Sequence, residues 1–225
     1  MSSPPVFFLT FFLPHWKSSA NCALLSVEQK IYGDVIMEIV AGTARGLILT
    51  SPGENDEVRP TSVRARRAFF DSLGDLKGKV FADIFAGSGA MGLEAASRGA
   101  EKVFFFEQAL PVLKMIEKNC NRVARTGVTT DMQIVRGAIP PFRTDLARFA
   151  RPDIVFADPP YAASMDFFKA VTADPCFRVW AADADLYWEL PDRDYALEVP
   201  AAPWRIMAIK NFGPGRFLML KCVDN

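Results

Sequence analysis

The sequence predicts an α/β domain with a mostly parallel, seven-stranded sheet, helices on both faces and a C-terminal antiparallel hairpin. Three observations lead there. From Val80 onward, short apolar runs rich in Val, Ile and Phe alternate with segments of helical period, and strands alternating with helices build parallel sheets. A glycine-rich turn, Gly87-Ser88-Gly89, closes the first of these runs. The last two runs flank Asn211-Phe212-Gly213-Pro214-Gly215, whose turn chemistry joins them as a hairpin.

In chain order, residues 1–36 stand apart. The apolar stretch from Val6 to Leu13 is eight residues long, whereas a membrane span needs about 20. No Lys or Arg precedes it, which speaks against a signal peptide. We read residues 1–36 as a non-native extension outside the core, with Met37 as the true start; a partner-binding or poorly ordered tail is the alternative. Glu38–Gly42 and Gly46–Leu49 then read as two short strands around a turn. After a polar loop, Arg59-Pro60-Thr61-Ser62 leads into a helix that runs to about Leu73, with Thr61 or Ser62 as its cap. Val63, Phe69, Phe70 and Leu73 supply its apolar side; Arg64, Arg66 and Arg67 are assigned to a charged one.

The alternating block gives strands at Val80–Phe85, Lys102–Glu107, Gln133–Val135, Ile154–Ala157 and Ala184–Leu190. Helices are expected near Met91–Arg98, Pro111–Val123, Pro141–Phe149 and Met165–Thr172, and the closing hairpin pairs Arg205–Lys210 with Arg216–Lys221. The chain thus divides into residues 1–36, a small hairpin-plus-helix region at 37–79, and the main domain at 80–225. Seven strands ending in such a hairpin fit the Rossmann-like class I fold of methyltransferases that use S-adenosylmethionine.

Composition narrows the field. The 225-residue chain is half apolar and carries no formal net charge, so a nucleic-acid partner must be met by a local patch rather than by a basic coat. Cys22, Cys120, Cys176 and Cys222 are far apart, which argues against zinc or a redox dithiol and fits a reducing cytoplasm. His15 is the sole histidine, so histidine acid–base chemistry is disfavoured. No metal site and no membrane association are expected.

Two motifs carry the chemistry. In Asp83-Ile84-Phe85-Ala86-Gly87-Ser88-Gly89, the glycines lie between a strand and a helix, and Gly87, Gly89 and Gly92 spell G-x-G-x-x-G. Such a turn lets backbone approach a ligand closely. Glu107 ends the next strand, 18 residues after Gly89, where a carboxylate accepts hydrogen bonds from ribose hydroxyls. NAD and S-adenosylmethionine both carry that ribose. Asp83 favours the second: a carboxylate there can face a methionine ammonium but would repel a pyrophosphate. Phe85, Ala86 and Ser88 complete the expected cofactor contacts.

The second motif is Asp158-Pro159-Pro160-Tyr161, after the buried run Asp153–Ala157. The prolines remove two N–H donors and leave rigid carbonyl acceptors. Acceptors beside an aromatic ring suit a planar group bearing an NH2, such as a nucleobase edge; the plain alternative is a strand followed by a Pro-rich turn. Hydrogen bonds from the amine to Asp158 and the Pro159 carbonyl would aim its nitrogen and stabilise developing positive charge. Tyr161 would stack on the base. Arg59, Arg64, Arg66 and Arg67 are expected as a group to contact phosphate, since Arg suits it, and Arg45 extends the patch; Arg45, Arg59, Thr61, Arg64 and Arg67 make up the expected nucleic-acid-binding set. Glu94 and Arg98, at i and i+4, are read as a helix-surface pair, and Lys210 as solvent-facing.

With these residues in view, the chain resembles the bacterial family that methylates guanine N2 in 16S ribosomal RNA, the RsmD type. The resemblance runs from about Met37 to Lys221. It rests on Ile39-Val40-Ala41-Gly42 with Arg45-Gly46, Arg59-Pro60-Thr61 followed by Val63-Arg64, the stretch from Asp83 to Ala95, Ser97-Arg98-Gly99-Ala100, Glu107, Asp158-Pro159-Pro160-Tyr161, and Lys210 with Gly213. It implies S-adenosylmethionine as methyl donor, a guanine amine as acceptor, and 16S rRNA or the small ribosomal subunit as substrate; we expect a monomer. Two departures are noted. Arg136-Gly137-Ala138 has no acid where related enzymes often contact adenine, so no residue is assigned to that ring. Residues 1–36 have no counterpart in the family pattern.

Three other readings remain open on the residues alone. A DNA amino-methyltransferase shares the Pro-Pro-Tyr element but usually needs a larger target-recognition region. A non-catalytic RNA-binding assembly factor is disfavoured by the intact Asp158 motif. An NAD-dependent reductase lacks an evident proton donor.

Overall fold

The computed structural model describes residues 37–50, 63–137, 145–190, 199–212 and 215–223. The extension at 1–36, the expected cap at Thr61 or Ser62, residues 138–144 and the Gly213-Pro214 turn lie outside the described residues.

A two-residue antiparallel pair opens the described chain: β1 (Met37–Glu38) and β2 (Ile48–Leu49). The strands are shorter than expected because residues 39–46 form the turn itself, closed by Gly46 N–H to Ile39 O at 2.8 Å. Helix α1 (Val63–Leu73) follows. The main sheet comprises β3 (Val80–Asp83), β4 (Lys102–Glu107), β5 (Asp131–Arg136), β6 (Ile154–Ala157), β7 (Asp185–Leu190), β8 (Trp204–Phe212) and β9 (Gly215–Cys222). Their spatial order is β5-β4-β3-β6-β7-β9-β8. The first five strands run parallel, and β9 inserts antiparallel between β7 and β8. The seven strands, the parallel order and the terminal hairpin are as the sequence predicts.

Helices α2 (Ala90–Ser97), α3 (Leu110–Ala124) and α4 (Ser164–Ala173) match expectation within a residue or two. The helix expected near Pro141–Phe149 is described only as a 3-10 turn at Leu146–Arg148. Helix α5 (Pro175–Trp180) was not foreseen. Its start is locally determined: the Asp174 carboxylate accepts from Cys176 N–H at 2.8 Å and Phe177 N–H at 2.9 Å, and Pro175 supplies a helical φ at the first turn.

Two cores sandwich the sheet. Phe81, Phe105, Phe156 and Tyr187 face α1, α2, α3 and the N-terminal pair, while Phe104, Phe106, Trp188 and Leu218 face α4 and α5. Phe69 of α1 is the hub of the first core, edge-on to Phe70 and Tyr187 at 5.1 Å and to Phe156 at 5.2 Å. Truncating such a residue to Ala costs about 3–5 kcal/mol. Helix α1 is thereby fixed across the strands whose ends form the site.

A buried polar network ties residues 37–50 to α2 and corrects two expectations. Arg66 is not on a charged outer face; its side chain is fully buried, donates to Glu38 O, and lies 3.7 Å from Glu94. Burial pulls its pKa down while Glu94 and Glu38 oppose the shift. Glu94 is not a surface partner of Arg98 either. It is fully buried and accepts from Val40 N–H at 2.7 Å, Ala41 N–H at 3.0 Å and Arg98 Nε at 2.8 Å. Removing one partner from such a buried pair strands the other charge, at a cost of about 3–5 kcal/mol. Ser97 adds to the tie, accepting from Ala44 N–H at 2.9 Å and donating to Ala41 O at 2.6 Å.

Candidate active site

The order of the parallel strands reverses at β3: β4 lies on one side and β6 on the other. Ligands of open α/β sheets bind at the carboxyl edge beside such a reversal. Glu107 is the last residue of β4 and Asp83 the last of β3, and Asp158 directly follows β6. Alternation along each strand puts Asp83 on the face of Phe81, Glu107 on that of Phe105 and Asp158 on that of Phe156; all three aromatic residues belong to the first core.

The glycine turn is built as its residues demand. Gly87 and Gly89 adopt φ of 49° and 78°, and Gly89 is the N-cap of α2; a left-handed φ favours glycine. A Cβ at Gly92 would lie 2.3 Å from the Phe105 ring, so the third glycine sets how closely α2 seats on β4. Gly92 N–H donates to Asp83 Oδ2 at 3.3 Å. Asp83 is 1% exposed. Its carboxyl is pushed up to about 8, chiefly by burial; the Gly92 N–H pulls against this, and the nearby carboxylates of Asp158 and Glu107 add to it.

Glu107 is half-buried and joins the two cofactor motifs. Its Oε2 accepts from Gly87 N–H at 3.2 Å, while Oε1 accepts from the N–H groups of Gln108 and Ala109, both at 2.8 Å. Ser88 is buried and donates to Met37 Sδ at 3.3 Å. Ala86 is buried, and its N–H reaches Phe106 O at 3.0 Å. Phe85, expected as the last residue of the first strand, lies outside it, since β3 ends at Asp83. Its ring packs 5.2 Å from Phe167 and 5.8 Å from Trp188.

In the second motif Asp158 is partly exposed, Pro159 buried and Pro160 exposed. Tyr161 starts a short 3-10 turn with 43% of its surface accessible. The structure thus brings Asp83, Glu107 and Asp158 together on one face of one edge, with Tyr161 beside them in sequence. Of the expected phosphate contacts, Arg45, Arg64 and Arg67 are exposed, while Arg59 and Thr61 lie outside the described residues. Lys210 is not simply solvent-facing: it is half-buried, its ammonium 5.6 Å from the centroid of the Tyr187 ring.

Sequence reasoning missed three supporting residues. Glu94 and Ser97 hold the N-terminal pair against the helix that follows the glycine turn. Asn119 of α3 accepts from Thr50 N–H at 2.9 Å and donates to Thr50 O at 2.8 Å and Ser88 O at 3.5 Å. The signal for Arg66 was present. It stands three and four residues before Phe69 and Phe70, on the same helix face. Among the described residues no cluster of His, Cys, Asp or Glu could hold a metal ion, and no helix is long and apolar enough to cross a membrane.

Comparison with known proteins follows the same lines. A family model described as conserved hypothetical protein 95 matches residues 37–221. The ribosomal RNA small subunit methyltransferase D of Haemophilus influenzae is 28% identical over 179 residues, covering 79% of this chain and 89% of that protein. The protein of the same name from Escherichia coli is 34% identical over 127 residues, 56% of this chain and 60% of its own length. Among solved structures, a hypothetical protein of Thermus thermophilus superposes with a TM-score of 0.60 at 28% identity, covering 84% of this chain and all of its own. The Escherichia coli protein yhhF gives 0.62 at 24% identity, over 83% and 98% of the two chains.

Proposed function

The chain belongs to the family described as conserved hypothetical protein 95, and on that premise we propose that it transfers a methyl group from S-adenosylmethionine to the exocyclic N2 of a guanine in small-subunit (16S) ribosomal RNA. One observation carries the reading: Asp158-Pro159-Pro160-Tyr161 leaves the strand next to the one bearing the glycine turn, on the same carboxyl edge. A base-amine acceptor and a cofactor turn therefore share one crevice. The relatives named as rRNA small subunit methyltransferases support the substrate class.

The donor set fits S-adenosylmethionine. When bound, this cofactor supplies an electrophilic methyl group on a sulfonium sulfur. Glu107, held at the end of β4 by three backbone N–H groups, offers carboxylate acceptors to the ribose hydroxyls. Asp83 is a buried acid whose charge is disfavoured at neutral pH, so a cationic ammonium is the partner that would let it ionise. The backbone at Ala86, Gly87, Ser88 and Gly89 and the Phe85 turn line this half of the crevice.

At the other half, Asp158 and the Pro159 carbonyl accept from the two N2–H bonds. An exocyclic amine is a poor nucleophile because its lone pair is shared with the ring. These hydrogen bonds turn the nitrogen toward the methyl group and offset the positive charge that grows on it. Asp158 then receives the proton that the methylated nitrogen releases and passes it to water. Tyr161 supplies the stacking face, and Arg45, Arg59, Thr61, Arg64 and Arg67 supply phosphate contacts. Residues 37–79 form the RNA-contact region in this reading, and the enzyme acts as a cytoplasmic monomer. The free state of Cys120, Cys176 and Cys222 agrees with a reducing compartment.

The test supplies labelled S-adenosylmethionine with naked 16S rRNA, small subunits lacking the modification, and duplex DNA. Label should enter RNA as N2-methylguanine. Preferential labelling of the DNA would overturn the assignment.

A further inference from the structure

Asp158 and its neighbours would accept an adenine or cytosine amine as readily as that of guanine, so the choice of base needs another group. The edge holds one. Ala157 pairs with Trp188 in the parallel register of β6 and β7, so the next step brings Asp158 beside Glu189. Adjacent strands lie about 4.8 Å apart. Glu189 is 6% exposed, a buried acid one residue from the carboxyl end of β7. Tyr187 belongs to the first core and Trp188 to the second; alternation therefore turns Glu189 to the face of Asp83, Glu107 and Asp158. Along the same row, Glu189 opposes Phe217 on β9, and Phe217 opposes Lys210 on β8. The Lys210 ammonium reaches back across β9 to the Tyr187 ring.

Building on the methyl-transfer reading, we propose that Glu189 is the base-specificity residue. Its carboxylate accepts the N1–H of the target guanine while Asp158 accepts the N2 amine. Two neighbouring acceptors fit an edge that offers two neighbouring donors. Guanine presents donor, donor, acceptor at N2, N1 and O6. Asp158 and Glu189 present two neighbouring acceptors, and Phe217 follows them in the row. Adenine and cytosine each carry an unprotonated ring nitrogen beside the amine, and a carboxylate facing that lone pair is repulsive. Discrimination thus comes from a carboxylate that meets an N–H on guanine and a lone pair on the other two bases.

The experiment needs the reaction itself and two substrates. Once the methylated position is mapped on unmodified small-subunit RNA, transcripts carry either guanine or 2-aminopurine there. The latter keeps the C2 amine but lacks N1–H and O6. The wild-type protein should favour guanine by about 10- to 100-fold in kcat/KM, the range of one bidentate base contact. Glu189→Gln should lower kcat/KM on guanine by a similar factor and collapse the preference. Its S-adenosylmethionine affinity and melting temperature should be unchanged. Glu189→Asp, which keeps the charge, should retain the preference at reduced rate. Equal wild-type rates on the two transcripts would overturn the proposal, and that arm needs no variant to fold. So would a Glu189→Gln protein with wild-type preference, or one whose losses follow cofactor affinity or stability alone. If the wild-type protein methylates no RNA guanine, the underlying reading fails, and this inference with it.

Discussion

Glu107 and Asp158 both stand at the carboxyl end of a parallel strand, yet the chain treats them differently. Glu107 is followed by Gln108 and Ala109, whose N–H groups both turn back onto its Oε1, and Gly87 N–H occupies Oε2. Asp158 is followed by Pro159 and Pro160, which have no N–H to turn back. The two residues after the acid cap it on the β4 side and cannot do so on the β6 side. The proposed cofactor half is therefore shaped in advance by hydrogen bonds. In the proposed acceptor half, ring constraints fix the backbone, and the two prolines donate nothing to the carboxylate. An acid meant to hold a reacting amine gains from the second arrangement, and one meant to stay at a fixed address gains from the first.

The widest separation of the two halves comes from removing each acid. Asp158→Ala should lower kcat by about 10²- to 10³-fold, the loss typical of one preorganised electrostatic group, and leave the dissociation constant for S-adenosylmethionine unchanged. Glu107→Ala should do the converse. It should weaken cofactor binding by about 10- to 100-fold through lost hydrogen bonds to a charged group, while saturating cofactor restores most of the rate. Calorimetry and single-turnover rates on the same preparations would decide. A cofactor defect in Asp158→Ala, or an unrescued rate defect in Glu107→Ala, would erase the proposed division.

A smaller effect tests the prolines themselves. Pro159→Ala and Pro160→Ala each restore an N–H at the position from which Glu107 is capped. Either amide can then compete with the substrate amine for Asp158. The double substitution should lower kcat by about tenfold, the worth of one hydrogen bond to a charged group. Stability should fall by only about 0.4–1 kcal/mol per site, through the freer unfolded chain. A rate equal to wild type would show that the missing donors do not matter to Asp158.

What the sequence reveals and what it hides divides along related lines. Lys102–Glu107 and Ile154–Ala157 were legible to the residue because continuous apolar runs buried on both faces admit few other structures. The acids at their ends were legible because strand termini in a parallel sheet share an edge. Glu94 and Glu189 were not, and for Arg66 only its place on the helix face of Phe69 and Phe70 was. Charge in a helix or strand suggests an outward face, and only partners distant in sequence reverse that: the amides of Val40 and Ala41 for Glu94, the Glu38 carbonyl for Arg66. Helix α5 was missed for a different reason. Asp174-Pro175 carries both a cap and a first-turn proline, but six helical residues, Pro175–Trp180, are too few to show a period.

The smallest effect concerns Asp83, and its sign can be worked out. Burial raises the Asp83 carboxyl to about 8 in the folded protein, so folding holds this proton more tightly than the unfolded chain does. Between the ordinary carboxylate range and about pH 8 the folded state binds more protons, and stability contributed at low pH is lost as pH rises through that window. Asp83→Asn cannot titrate, yet its side-chain oxygen can still accept from Gly92 N–H. The variant should therefore gain on the wild type from pH 5 to pH 8.5, by about 2–4 °C in melting temperature for each kcal/mol relieved. Cofactor binding gives the second half of the test. An ammonium beside Asp83 would favour its charged form, so wild-type binding at pH 7 should release protons, detectable as a dependence of binding heat on buffer ionisation. Asp83→Asn should bind more weakly and release fewer. Parallel melting curves for the two proteins, together with equal proton release, would mean that Asp83 serves only to hold the turn at Gly92. The ammonium partner would then have to be sought elsewhere along the β3 edge.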